Sequence, residues 1–303
     1  MEKLTTKLAT AALGLLLTQF AAAEEVDVRF AQKRFAVVPV LVDGQGPYDF
    51  LLDTGSTTSV VDKNLAKDLG LKPLGRTVIR TASGSERVPI ARIHQMRIGS
   101  RSTETVLVLI SKMDGLRKLD ENIRGILGFN FLSRFRYTLD YEHQRLRFEV
   151  GAVCGTRIPF DASSRSILLA AGNLRFLLDT GATGVFLFRS EGLDLEVNAR
   201  AIKRVSTNAG HRIGKSGWLE RLDIGDVSLD RVPVTLVPET GLESKADGLL
   251  PGTLFDAIYF DHENDFVVLN PTPPSPRAPE RAEQEAEGGF RPDNAHEHRR
   301  PKR

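Results

Sequence analysis

Short runs of β-branched and aromatic residues, punctuated by Gly, Asn and Asp, fill most of the chain and read as strands rather than helices. Residues 34–42 form one such run, Asp43-Gly44-Gln45-Gly46 supplies turn chemistry, and 48–52 resume the strand. Residues 166–170, a turn at Ala171-Gly172-Asn173 and residues 174–178 repeat this arrangement. Residues 62–69 read as one short helix, with Asp62 to cap its start and Gly70 to end it. Residues 136–148 and 257–269 read as hairpins that close two successive halves.

The halves are copies. Phe50-Leu51-Leu52-Asp53-Thr54-Gly55 recurs as Phe176-Leu177-Leu178-Asp179-Thr180-Gly181, an offset of 179 − 53 = 126. The same offset carries Thr57 onto Thr183, Thr81 onto Thr207, Gly84 onto Gly210, Ile98-Gly99 onto Ile224-Gly225, and Val106 and Val108 onto Val232 and Val234. One offset held over so long a stretch predicts the same small β fold twice. The expected fold class is therefore all-β, with two tandem lobes, 24–150 and 155–270, related by a pseudo-twofold axis and separated by a cleft.

The two ends depart from this pattern. Lys3 and Lys7, an apolar stretch over 8–20, and Ala21-Ala22-Ala23 before Glu24 read as a signal peptide over 1–23. The apolar stretch is short for a spanning helix, which needs about 20 residues. The expectation is cleavage and a soluble, periplasmic or secreted mature protein with no stable membrane insertion. Residues 271–303 are rich in Pro, Glu and Arg and nearly free of aliphatic side chains, so they read as a disordered tail. His296-Glu297-His298 within it offers too few fixed ligands for a metal site.

Composition narrows the classes further. Hydrophobic residues make up 41% of the 303, enough for a sizeable core, and net charge is only +2 with no basic run, which argues against a nucleic-acid partner. Cys154 is the only cysteine, so no disulfide forms within the chain, and nothing beside it suggests a paired base. No Gly-rich phosphate loop with a following Lys, no His-Glu-x-x-His and no Gly-x-Ser-x-Gly is present. His94, His143 and His262 stand isolated among strand residues and read as structural or exposed.

What remains is the pair of Asp-Thr-Gly motifs. Each follows an apolar strand, so each sets a carboxylate on a tight turn leaving the core. Gly55 and Gly181 are expected to allow the turn dihedrals, and Thr54 and Thr180 offer hydroxyls that can tie the loops together. A lone Asp-Thr-Gly is a weak signal, because Asp and Gly fill ordinary turns. Two copies at one repeat offset bring Asp53 and Asp179 together across the axis. Carboxyl groups in contact cannot both ionise readily, so the pair holds one proton over a useful pH range. The charged member can take a proton from water while the protonated member hydrogen-bonds a carbonyl oxygen. This chemistry calls for no metal or cofactor.

These motifs resemble the aspartic protease superfamily, in particular its retropepsin-like bacterial group, over nearly the whole chain before the tail. The resemblance implies Asp53 and Asp179 as catalytic residues of a peptide-bond hydrolase. Thr54, Gly55, Ser56, Thr180, Gly181 and Ala182 would support their loops. In that family two apolar residues and a glycine brace each loop. Ile126-Leu127-Gly128 fits, whereas Leu249-Leu250-Pro251-Gly252 has Pro251 where the glycine is expected. The family also folds a flap over its site. That maps to Thr81-Ala82-Ser83-Gly84 and to Thr207-Asn208-Ala209-Gly210-His211, with Ser83, Gly84, Gly210 and His211 as substrate contacts. Taken without the resemblance, both segments also fit ordinary polar turns. Ser56 can donate to the outer oxygen of Asp53 where Ala182 cannot do so for Asp179, which predicts the charge on Asp53 and the proton on Asp179.

Two classes of function stay open at this level. One is an endopeptidase acting on protein or peptide. The other is a catalytically silent module that holds extended peptides. Both aspartates favour the enzyme, and Pro251 favours the silent module. One chain carries both motifs, so a monomer is expected.

Overall fold

Twenty-one strands and three short helices make up the structure, a computed structural model that describes residues 24–81, 84–148, 153–188, 195–207, 210–237 and 246–272. The expected signal peptide, and the tail beyond residue 272, lie outside the described residues. In chain order the first half carries β1 (Glu24–Asp27), β2 (Arg29–Ala31), β3 (Phe35–Val42), β4 (Gln45–Leu52), β5 (Val60–Asp62), β6 (Gly75–Thr81), β7 (Gly84–Ile98), β8 (Arg101–Ser111), β9 (Ile123–Leu127), β10 (Arg136–Asp140) and β11 (Arg145–Phe148). The second carries β12 (Ile158–Pro159), β13 (Leu168–Ala171), β14 (Leu174–Asp179), β15 (Val185–Leu187), β16 (Leu195–Thr207), β17 (Gly210–Ile224), β18 (Val227–Leu236), β19 (Gly248–Pro251), β20 (Ala257–Asp261) and β21 (Phe266–Leu269).

The repeat is realised strand by strand. The first lobe is a sheet in the order β2-β3-β4-β9-β5-β8-β7-β6, and the second is β13-β14-β19-β15-β18-β17-β16. In each, the strand that leads into Asp-Thr-Gly pairs in parallel with a later strand that returns beneath it, β4 with β9 and β14 with β19. Strands in the middle of these sheets are buried on both faces. Phe50 and Leu52 of β4 enter the main apolar cluster, while Leu51 between them enters a second one. The expected helix forms as α1 (Lys63–Asp68). The Asp62 carboxylate accepts the N–H groups of Asn64 and Leu65, and Gly70 leaves the helix at φ +66°. Two further single-turn helices, α2 (Asp114–Arg117) and α3 (Phe129–Leu132), flank β9.

The two hairpins expected to close the halves do more than that. They join in a third sheet, β1-β11-β10-β20-β21-β12, in which β10 and β20 run antiparallel. Both are five residues long, and their middle residues Thr138 and Tyr259 pair with each other, which sets the pseudo-twofold axis between them. The main apolar cluster runs through this sheet from Val38 and Phe50, by way of Tyr137 and Phe260, to Phe176 and Leu178. Residues 271 and 272 belong to the body rather than to a free tail, because Thr272 exchanges backbone hydrogen bonds with Cys154 at 3.2 and 3.0 Å. No helix among the described residues is long and apolar enough to cross a membrane.

Candidate active site

Asp53 is the first residue after β4 and Asp179 the last of β14, so each carboxyl is carried by the end of a strand anchored in the core. The backbone N–H of Asp53 still donates to Leu127 O of β9 at 3.0 Å, which fixes where the chain turns away. Phe50 and Leu52, and Phe176 and Leu178, are wholly buried behind the two loops.

Thr54 and Thr180 lock the loops to each other across the axis. The Thr54 hydroxyl donates to Leu178 O at 2.7 Å and accepts the Thr180 N–H at 3.1 Å. The Thr180 hydroxyl donates to Leu52 O at 2.8 Å and accepts the Thr54 N–H at 3.0 Å. Both side chains are buried, so four polar groups that would be costly to leave bare are satisfied by one reciprocal ring. The ring ties lobe to lobe directly under the carboxyls.

The glycines act through space rather than through their dihedrals, and this corrects the sequence reading. Neither Gly55 nor Gly181 has a positive φ. A Cβ on Gly55 would instead stand 2.5 Å from Asp179 Cγ, and one on Gly181 would stand 2.9 Å from Asp53 Cγ. Each loop leaves its own glycine bare so that the other lobe's carboxyl can approach.

Asp53 and Asp179 are accordingly hydrogen-bonded to each other. Asp53 Oδ1 also accepts the N–H groups of Gly55 at 2.9 Å and Ser56 at 3.1 Å, and Asp179 Oδ1 accepts that of Gly181 at 2.8 Å. Burial raises both acids. For Asp179 the charge of Asp53 adds to burial and holds it well above the usual carboxylate range. For Asp53 the bonds from Asp179, Gly55 and Ser56 oppose burial and keep the rise smaller. The push toward the protonated form is therefore the stronger at Asp179.

The part expected of the Ser56 side chain is not met. The Ser56 hydroxyl does not serve Asp53: it donates to Thr58 O at 2.9 Å. Asp53 receives the Ser56 backbone N–H instead, so the hydroxyl supports the loop's shape. Ala182 is buried beside the second loop.

The Pro251 departure has a structural explanation that sequence reasoning missed. In the first lobe Gly128 N–H donates to Ser59 Oγ at 3.0 Å, and Ser59 Oγ donates to Asn130 Oδ1 at 2.8 Å. A Cβ on Gly128 would lie 2.7 Å from Thr58 C, so only glycine fits there. In the second lobe Asp179 pairs with Pro251, and Val185 occupies the Ser59 position at the 126-residue offset. Proline lacks the donor and valine lacks the acceptor, so the bond is lost from both sides and no polar group is stranded. The signal in the sequence was the second substitution, Ser59 to Val185, at the repeat offset.

Tyr141 also escaped the sequence reading. It follows Asp140 at the end of β10, crosses to the other lobe, and its hydroxyl stands where a Cβ on Gly252 would lie, 2.0 Å from that point. His262 follows Asp261 at the end of β20 in the same way and packs on Phe129, the first residue of α3.

The expected flap residues fall partly outside what is described. Gly84 opens β7 opposite Thr81, and Gly210 opens β17 opposite Thr207, so a long hairpin stands at each expected place. Ser83 and the His211 side chain lie outside the described residues. Cys154 is exposed, and the His143 ring pairs with Asp140 at the surface. Among the described residues no three His, Cys, Asp or Glu side chains are grouped to hold a metal ion.

A family model described as an aspartyl protease matches residues 38–131 and 171–253, one segment in each lobe. Among solved structures one match is a retropepsin-like aspartic protease from Rickettsia conorii, 18% identical. It covers 42% of this chain and 91% of that chain with a TM-score of 0.32. No curated protein matches. Each matched segment takes in one Asp-Thr-Gly loop.

Proposed function

The chain belongs to the aspartyl protease family, and on that premise we propose that it is an exported endopeptidase whose acid–base pair is Asp53 and Asp179. One observation carries the reading: two carboxyls from two lobes, hydrogen-bonded to each other above a reciprocal threonine ring. A water held by the pair would lose a proton to Asp53 as its oxygen attacks the peptide carbonyl. Asp179 would give its proton to the carbonyl oxygen in the same step, leaving a neutral tetrahedral diol. Asp53 then passes its new proton to the departing amine, Asp179 recovers one from the diol, and the pair returns to its starting state. No observation favours the silent peptide-binding reading, because Pro251 keeps its strand pairing and leaves no polar group bare.

One chain supplies both loops, so a monomer suffices for the site. The substrate class is protein or peptide. The signal pattern before Glu24 supports release into the periplasm or medium, and amino-terminal sequencing of the exported protein should begin at or near Glu24.

The deciding experiment is Asp53→Asn and Asp179→Asn, assayed on casein and on a peptide library. Each should lower kcat/KM by about 10²–10⁴-fold or more while the fold is kept. Near-normal turnover by either variant would sink the assignment of the pair.

A further inference from the structure

The Tyr141 hydroxyl is a buried polar group beside the second loop that no described residue satisfies. Its oxygen is shut off from solvent and has no hydrogen-bond partner among the described residues. An orphaned hydroxyl is costly, and phenylalanine would fill the same space without that cost. The rest of the residue is firmly held. The ring packs on Phe30 with centroids 5.4 Å apart, and the backbone N–H donates to Asp256 O at 2.8 Å. A Cβ on Gly252 would meet that oxygen at 2.0 Å and Thr180 Cγ2 at 3.1 Å, so the hydroxyl is lodged beside the loop that carries Asp179.

We propose that Tyr141 is a positioning residue for the second carboxyl, its hydroxyl dipole stabilising Asp179 at the stage where that group has given up its proton. The proposal rests on the acid–base reading above. In the resting state Asp179 is neutral and asks nothing of the hydroxyl. After Asp179 has protonated the carbonyl oxygen it is anionic in a buried place, and a donor held close by lowers the cost of that charge. The electrostatics run the same way in reverse: burial, and then the Asp179 charge, push the Tyr141 hydroxyl up from its ordinary value, so it stays a neutral donor. The other titratable groups around it are Asp53 across the pair, Tyr137 in the shared sheet, and Lys33, which lines a cavity of about 340 Å³ together with Phe30 and Tyr141. In the opposite lobe the ring of His262, packed on Phe129, stands in the equivalent place.

The test is Tyr141→Phe, with Tyr141→Leu as the packing control and Asp179→Asn to assign the signal. Titration of ¹³Cγ-labelled aspartate by NMR should show the upper step of the pair moved up by about half a pH unit or more in Tyr141→Phe. Its kcat should fall about threefold to tenfold with KM unchanged, and its Tm should hold or rise, whereas Tyr141→Leu should melt lower. An upper step that stays where it is in Tyr141→Phe, or equal losses of Tm in both variants without a titration change, overturns the proposal. The titration needs no substrate, so it decides the part played by Tyr141 whether or not the chain cleaves peptides.

Discussion

Pro251 stands directly opposite Asp179 in the parallel pairing of β14 with β19. The first-lobe counterpart is a glycine held by a serine hydroxyl, and here proline faces valine. A donor and its acceptor have been deleted together, which is nearly neutral when both go and costly when one goes.

Restoring the expected glycine should therefore do harm. Pro251→Gly adds a buried N–H with no acceptor at Val185 and frees the unfolded chain, so stability should fall by about 1–3 kcal/mol. Ser59→Ala strands Gly128 N–H in the first lobe and should cost about the same. Urea unfolding of both variants checks this. A Pro251→Gly protein that gained stability or turnover would mean that Pro251 is a defect after all.

Gly55→Ala separates activity from fold. Its Cβ would meet Asp179 Cγ at 2.5 Å and both carboxylate oxygens within 2.8 Å, so the two acids must move apart. A displacement near 1 Å at reacting groups costs about 10²-fold in rate. The overpacking itself costs only about 1–3 kcal/mol. We expect kcat/KM to fall by that factor or more in a protein that still melts cooperatively. Unchanged turnover would show that the carboxyls do not need this approach.

Much of this arrangement was legible beforehand, and the reason is covalent. The repeat at 126 residues, the Phe-Leu-Leu strands, the capped helix at Asp62 and both closing hairpins are local patterns, and all formed as expected. The aspartic protease resemblance carried by the paired motifs is likewise met by the family match. What stayed hidden were relations between lobes. That β10 pairs with β20, that each motif glycine serves the opposite carboxyl, and that the Ser56 hydroxyl turns to Thr58 depend on how the halves dock. Tyr141 was hidden for the same reason, since its meaning comes from Gly252 in the other lobe.

The threonine ring should behave as one unit. Thr54→Val removes the donor to Leu178 O and the acceptor for Thr180 N–H, both buried, and should cost roughly 1–3 kcal/mol for each group stranded. Thr180→Val removes the mirror-related pair of bonds. Because the four bonds form one network, the double variant should lose less than the two single losses added together. Strict additivity in a double-mutant cycle would show two independent contacts rather than a ring.

His262 should set a limit on stability in acid. Its ring lies among Phe129, Phe160, Tyr137 and Phe260 at centroid distances of 5.3 to 6.2 Å, and neither ring nitrogen has a partner among the described residues. Burial drives its pKa down to about 4, with the Asp261 charge opposing, while the unfolded value is near 6.5. The folded state thus binds this proton less readily than the unfolded one. Stability is complete above about pH 6.5, declines as pH falls from there to about 4, and levels off below. At about 1.36 kcal/mol per unit, the loss approaches roughly 3 kcal/mol. The raised dyad acids act in the opposite direction, gaining stability as pH falls, but they are common to wild type and variant and cancel in the difference. His262→Phe keeps an aromatic ring in the cage and removes the proton site. Its unfolding free energy, measured in urea at pH 7, 5 and 4, should gain on wild type progressively down that series. Parallel pH profiles for the two proteins would show that the cage accepts the imidazolium, and that acid sensitivity has another source.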